Sequence, residues 1–362
     1  MSGVIIFVGN QWLLGATAKE KSEHRNENYE KNLHTRFLTD ARNRQQWQVA
    51  NNEISRPPVK HSGFRHLLRG LRTGAGIFHI GQSRRNSIEC PVKKLQGLTF
   101  LPALIWFCLS AAGTEAATLA GQQAEGGKTV EIRFPVSKYF QDIAAQGGNP
   151  RPETGRALLT FPPQFDPARR WPILIVTSTS DFNRTSPMDA EWYRPPADAE
   201  GWMILASDAT IKPRQDSTPW RLGMLGAALE AVRKEWPQTA KWPVAFAGFS
   251  GGAKHSCVLG AMLGKVGSIN ICGFFLSGIN EDRLSPSYKT YQPGASFLNI
   301  PIWISGGMDD PIATPSSEGA VQASLQRTGF KRVRLEHFVG SHWLKKSEVR
   351  LALRWFRELG GF

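Results

Sequence analysis

From about residue 128 to the C-terminus, short apolar runs alternate with helical patterns. This alternation constrains the fold more than any other feature of the 362-residue chain. Strand-like runs fall at Thr129–Phe134, Ala157–Phe161, Ile173–Thr177, Met203–Ser207, Val244–Gly248, Ile271–Leu276, Ile302–Ser305 and Val333–Phe338. Most are rich in Ile, Leu and Val, as in strands buried on both faces. Between the later runs the spacing turns helical. Leu222, Leu225, Leu229, Val232 and Trp236 follow a cap at Ser217 and Pro219. Thr314-Pro315 opens another helix, which Gly329 closes. Ser347 opens the last, with Val349, Ala352, Phe356 and Leu359 on one face. Strands alternating with helices predict a mainly parallel sheet covered on both sides, with the first hairpin-like pair as its antiparallel edge.

Within this frame, Gly248-Phe249-Ser250-Gly251-Gly252 fits G-x-S-x-G. It follows the strand run VAFAG and precedes the helical run GGAKHSCVLGAMLG. A serine on a sharp strand-to-helix turn projects its hydroxyl from the turn. The flanking glycines let the chain double back without side-chain clashes. The backbone N–H of Gly251, at a helix N-terminus, is then the expected first donor to a developing oxyanion.

A serine hydroxyl needs a base within hydrogen-bond reach and a third group to orient that base. With such an elbow, the acid and then the base come from later in the chain. The run Ile302–Ser305 is followed by Gly306-Gly307-Met308-Asp309-Asp310-Pro311. Asp309 is the expected acid. Asp310 is the alternative, since a residue before proline tends to shape the turn, and Asp282 is a more distant candidate. The base is expected at His342, in the loop after the last strand. His337 reads as a packed strand residue, and His255 lies on the elbow helix. The second oxyanion donor is expected from Thr179 or Ser180, in the loop after the third strand. Phe182, Trp192, Tyr193, Trp220 and Trp343 are the aromatics expected around the site.

ALLTFPPQFDPARRWPILIV (Ala157–Val176), GFSGG (Gly248–Gly252), ISGGMDDP (Ile304–Pro311) and VGSHW (Val339–Trp343) together resemble the α/β-hydrolase superfamily. Residues 128–362 are most similar to its poly(hydroxyalkanoate) depolymerase and feruloyl-esterase type. The resemblance implies an α/β-hydrolase fold with a mostly parallel eight-stranded sheet and helices on both faces. It implies a Ser250–Asp309–His342 triad, an acyl-enzyme mechanism on carboxylic esters, and no metal or organic cofactor; by position, Gly251 and Thr179 are the expected oxyanion hole. One departure stands out: members commonly carry His-Gly after the third strand, where this chain has Ser178-Thr179. About 25 residues lie between Leu276 and Ile302. That leaves little room for a large lid domain, and an open site suits short soluble esters or esters on polymers better than buried lipid. The rival readings are a peptidase or dienelactone-type hydrolase, and a catalytically silent binding protein on the same fold. The dienelactone type usually carries Cys at the nucleophile position.

The first third of the chain is different. Residues 1–91 show no sustained period and read as disordered or untranslated. Lys93 and Lys94 precede the apolar run Leu98–Ala112, and small residues follow in Gly113–Ala120. That is the layout of a signal peptide, with a cut after Ala116 or Ala120, and it predicts a secreted or periplasmic protein. The alternative is an internal hydrophobic anchor or a buried helix, and hence a membrane-anchored or cytoplasmic protein. Net charge is +14, yet residues 1–116 hold 16 Lys/Arg against 8 Asp/Glu, so over half of the excess lies outside the regular region. With no basic run interleaved with aromatics in that region, nucleic acid is not an expected partner. Nor is stable membrane insertion expected once the leader is removed. A small or polymeric ester is the expected partner. Cys257 and Cys272 read as two buried thiols, with a disulfide as the alternative in an exported protein.

Overall fold

The structure, a computed structural model, describes residues 117–180 and 184–362. The expected extension 1–91, most of the signal-like segment and Phe182 lie outside the described residues. Eight strands form one sheet: β1 (Thr129–Pro135), β2 (Thr154–Thr160), β3 (Ile173–Thr177), β4 (Met203–Ala209), β5 (Pro243–Phe249), β6 (Asn270–Ser277), β7 (Ile302–Gly307) and β8 (Val333–Phe338). Their order across the sheet is β8-β7-β6-β5-β3-β4-β2-β1. β2 runs antiparallel to both β1 and β4, and every other pair is parallel. This is the α/β-hydrolase architecture expected from the sequence.

Among the described residues seven α-helices cover the sheet: α1 (Lys138–Ala144), α2 (Ser186–Glu200), α3 (Thr218–Glu235), α4 (Gly251–Val266), α5 (Leu284–Tyr291), α6 (Pro315–Thr328) and α7 (Lys346–Gly360). Alternate residues of a strand face opposite sides of the sheet, and the core divides accordingly. Ile173, Ile175, Val244, Phe246, Phe274, Ile302 and Ile304 pack with α1, α3, α4, α5 and α6. Leu174, Val176, Ala245, Ala247, Phe275 and Trp303 pack with α2 and α7. Cys257 lies in the first of these cores and Cys272 packs against the second. Both are free thiols on opposite faces of the sheet, and burial pushes both thiols up.

One local expectation needs correction, and one feature of α2 runs against local propensity. Leu359 does not join the buried face of α7. It is 40% exposed, while Val349, Ala352 and Phe356 are fully buried. Pro195 and Pro196 lie inside α2 without ending it. Burial of Tyr193 and Ala197 on either side holds that helix against the sheet and offsets the roughly 3 kcal/mol an interior proline costs.

Before β1, a small hairpin pairs Thr118–Leu119 with Gln122–Gln123. Leu119 is fully buried, and the Trp236 indole donates to the Thr118 carbonyl at 3.0 Å. No helix among the described residues is long and apolar enough to cross a membrane.

Candidate active site

The parallel strands deliver their following loops to one edge of the sheet. The chain order reverses around β3, where such sheets open a crevice at the strands' carboxyl ends. Ser250 stands at this edge between β5 and α4. Its backbone has φ 55° and ψ −121°, a conformation that L-residues rarely adopt and that costs on the order of 1–3 kcal/mol. The surroundings hold it there. The Ser250 N–H donates to the Ser277 carbonyl at 2.8 Å. A Cβ on Gly248 would overlap the Gly252 backbone, and one on Gly252 would overlap the Thr177 carbonyl. The Thr177 hydroxyl also donates to the Gly252 carbonyl at 2.6 Å.

His342, from the loop after β8, lies against the residues that flank the serine. Its ring centroid is 4.6 Å from that of Phe249. A Cβ on Gly278 would stand 3.1 Å from its Cε1. Its Nδ1 lies 2.6 Å from Asp310 Oδ2, and both side chains are largely buried. The expectation of Asp309 as this partner is therefore corrected to Asp310. Asp309 is exposed, and its N–H donates to the Gly340 carbonyl at 2.9 Å. The reasoning that Asp310 shapes the turn holds for only half of its carboxylate. Oδ1 accepts from the N–H groups of Ile312 and Ala313 at 2.7 and 2.8 Å, which leaves Oδ2 for the histidine. Asp282 takes no part. Its Oδ1 accepts from Leu284 and Ser285 N–H at 2.9 Å each, capping α5.

Across the elbow, the loop after β3 closes on Gly251. A Cβ there would stand 2.6 Å from Thr179 Oγ1. Arg221 holds this loop from α3. One of its nitrogens donates to Ser178 Oγ and another to the Thr179 carbonyl, both at 3.2 Å, and the second also reaches Asp216 at 2.5 Å. Burial pushes the Asp216 carboxyl up, against the opposing pull of Arg221. Ser180 Oγ lies 3.1 Å from His255 Nε2. Burial, reinforced by Arg221, Arg283 and Lys254, drives the His255 pKa far down and keeps its ring neutral.

Arg221 and Glu318 are contributors the sequence reading does not single out. A lone arginine in the first turn of a helix carries no mark of burial. Glu318, in the first turn of α6, reads as a residue favourable to the helix dipole, yet its side chain is fully buried. Burial first, then the charge of Asp310, push its carboxyl up to about 8. His337 Nε2 lies 3.2 Å from its Oε2. Among the described residues no group of three His, Cys, Asp or Glu could hold a metal ion.

Of the expected aromatics, Tyr193 is fully buried in the core. Trp192 meets Phe249 edge-on at 6.2 Å with the Arg184 guanidinium 3.9 Å from its ring centroid, and Trp343 is 49% exposed.

No protein-family profile matches this chain, and no curated protein matches it in sequence. Solved structures do. A bacterial heroin esterase aligns at TM-score 0.46 and 15% identity, covering 63% of this chain and 84% of that one. A ferulic acid esterase aligns at TM-score 0.46 and 13% identity, covering 65% and 100%. An esterase from the hyperthermophilic archaeon Pyrobaculum calidifontis aligns at TM-score 0.46 and 14% identity, covering 65% and 84%. The fold assignment rests on the strand order and connections described above.

Proposed function

We propose that this protein is a serine hydrolase that cleaves carboxylic esters through an acyl-enzyme. The observation that carries the reading is the strained Ser250 at the β5–α4 turn, with the hydrogen-bonded His342–Asp310 pair against its neighbours. Ser250 Oγ attacks the ester carbonyl as His342 Nε2 takes its proton. Asp310, bonded at Nδ1, fixes the tautomer and stabilises the imidazolium. The leaving alkoxide takes the proton back, and water then releases the acid by the same relay. Gly251 N–H is the first oxyanion donor, and Thr179 or Ser180 supplies the second. Arg221 on the Thr179 carbonyl fixes the peptide to Ser180, whose N–H, in a trans peptide, points the opposite way.

The loops beside His342 and Asp310 carry exposed apolar side chains: Met308 at 58%, Ile312 at 55% and Val339 at 80%, beside Trp343. Such a rim favours an apolar ester or an ester on a polymer surface.

A fluorophosphonate probe tests the nucleophile. Label should appear on the peptide holding Ser250 and vanish in Ser250→Ala, with kcat on a simple ester falling by about 10⁴-fold or more. No label on well-folded protein would move the binding-protein reading to the front.

We also propose export through the segment before Ala117, with cleavage after Ala116 rather than Ala120. Removal of the buried Leu119 would forfeit about 1.5–3 kcal/mol. N-terminal sequencing of the natural product should read Ala117-Thr118-Leu119. Peptides from residues 20–80 in the mature protein would overturn it.

A further inference from the structure

Beside the elbow, a cavity of about 390 Å³ opens between the carboxyl ends of β3 and β4 and the start of α3. Its floor is apolar: Trp220, Met224 and Leu225 line it and are nearly fully buried. Its walls are cationic. Arg156, Arg184, Lys212, Arg214 and Arg221 stand against two carboxylates, Asp208 and Asp216. Three of the arginines are partly engaged: the half-buried Arg156 lies 3.3 Å from Asp208, the half-buried Arg184 2.6 Å from Asp189 and the buried Arg221 2.5 Å from Asp216. Lys212 and Arg214, at the rim, have no carboxylate partner among the described residues and are exposed. A surplus of cations over an apolar floor, in a concave space, attracts an anion that carries a hydrocarbon arm. An inorganic anion would leave the floor uncovered, and a nucleic-acid strand would find no open groove.

The cavity belongs to the neighbourhood of the elbow. Ser178 and Ser180 line it, and Thr179 between them stands against Gly251. The loop at residues 178–180 thus borders both the cavity and the elbow.

We propose that this cavity receives the free carboxylate of a half-ester of a dicarboxylic acid, with the alkyl arm over Trp220 and Met224 and the carboxylate between Lys212 and Arg214. This rests on the esterase reading above, and deepens it by naming the substrate class.

The test uses the full-length protein. The 4-nitrophenyl half-ester of glutaric acid is compared with 4-nitrophenyl valerate, its uncharged counterpart of equal chain length. The wild type should favour the anionic ester in kcat/KM. Lys212→Glu combined with Arg214→Glu should lower that preference by about tenfold or more, as should a rise to 0.5 M salt. Lys331→Glu, in the exposed loop before β8 at the opposite edge of the sheet, is the matched charge control. Calorimetric titration with glutarate reads the cavity without any turnover. Glutarate binding that disappears in the double variant supports the anion site even if neither ester is hydrolysed, in which case only the esterase reading fails. Hydrolysis of both esters with a preference indifferent to the charge reversal, and no glutarate binding, would overturn the inference.

Discussion

On one side of Ser250, the loops after β7 and β8 are joined through their backbones, Met308 N–H to the Phe338 carbonyl at 2.8 Å and Asp309 N–H to the Gly340 carbonyl at 2.9 Å. On the other side, the loop after β3 hangs from the side chain of Arg221. The first arrangement depends little on which side chains are present, so Asp310 and His342 are held by the fold itself. The second depends on side chains, chiefly the buried Arg221 with its partner Asp216, and on the contact of Ser180 with His255. The half to which we assign acid–base chemistry is thus hard to perturb except at Asp310 and His342 themselves. The half proposed to hold the oxyanion can be retuned by a single substitution, and the cationic cavity opens on that half.

The sharpest way to break this contrast lies in the two adjacent aspartates. Asp310→Asn should keep the turn, because the Asn side-chain oxygen still accepts from Ile312 and Ala313. It should lower kcat by about 10²–10⁴-fold, since His342 loses the carboxylate that sets its tautomer. Asp309→Asn should stay within about twofold of wild type. Steady-state kinetics on one ester decides it. Equal losses in the two variants would mean that the Asp310–His342 contact does not operate in turnover.

Glu318 sharpens the comparison from beneath the acid–base half. Its folded-state pKa of about 8 lies above the ordinary 4.5. The folded protein therefore keeps a proton that the unfolded chain releases. The resulting stability is fully present below pH 4.5 and is lost as pH rises through 8. The span corresponds to at most about 5 kcal/mol. Glu318→Gln, a near-isosteric neutral replacement, should remove this decline, so the variant exceeds wild type in urea resistance at pH 9 more than at pH 5. Parallel stability curves for the two proteins would sink the assignment.

What the sequence made legible follows the same division. All eight strands stand within a few residues of their predicted positions; the central ones, such as β3 and β7, are buried on both faces and advertise themselves as continuous apolar runs, and β1 shows itself by alternation. The elbow was legible because glycine is required where Gly248 and Gly252 approach other backbone. His342 could be found by its place after the last strand. The place of Asp310 before Pro311 points to a turn-shaping role and so favours Asp309, whereas a carboxylate has two oxygens and Asp310 divides them between turn and histidine. The double proline in α2 was illegible for another reason. Local propensity forbids it, and only the packing of Tyr193 and Ala197 on the sheet overrides that propensity. Arg221 and Glu318 are polar residues buried by tertiary contacts, which no local period records.

The smallest of these effects, and the most direct probe of the oxyanion half, comes from Arg221. Its fork holds Ser178 Oγ, the Thr179 carbonyl and Asp216 at once, which a lysine ammonium, a single point of charge, does not reproduce. Arg221→Lys keeps the charge and avoids stranding the half-buried Asp216 without a partner. The variant should fold, with kcat lower by about 10–10²-fold and KM changed far less, because the loop's donors serve the transition state more than the ground state. A merely structural role is separated by chemical rescue. In Arg221→Ala, millimolar guanidinium should recover part of kcat by refilling the fork, while the urea midpoint stays where the substitution left it. Recovery of both together, or of neither, would make Arg221 a support of the fold and place the hold on Thr179 elsewhere in the loop.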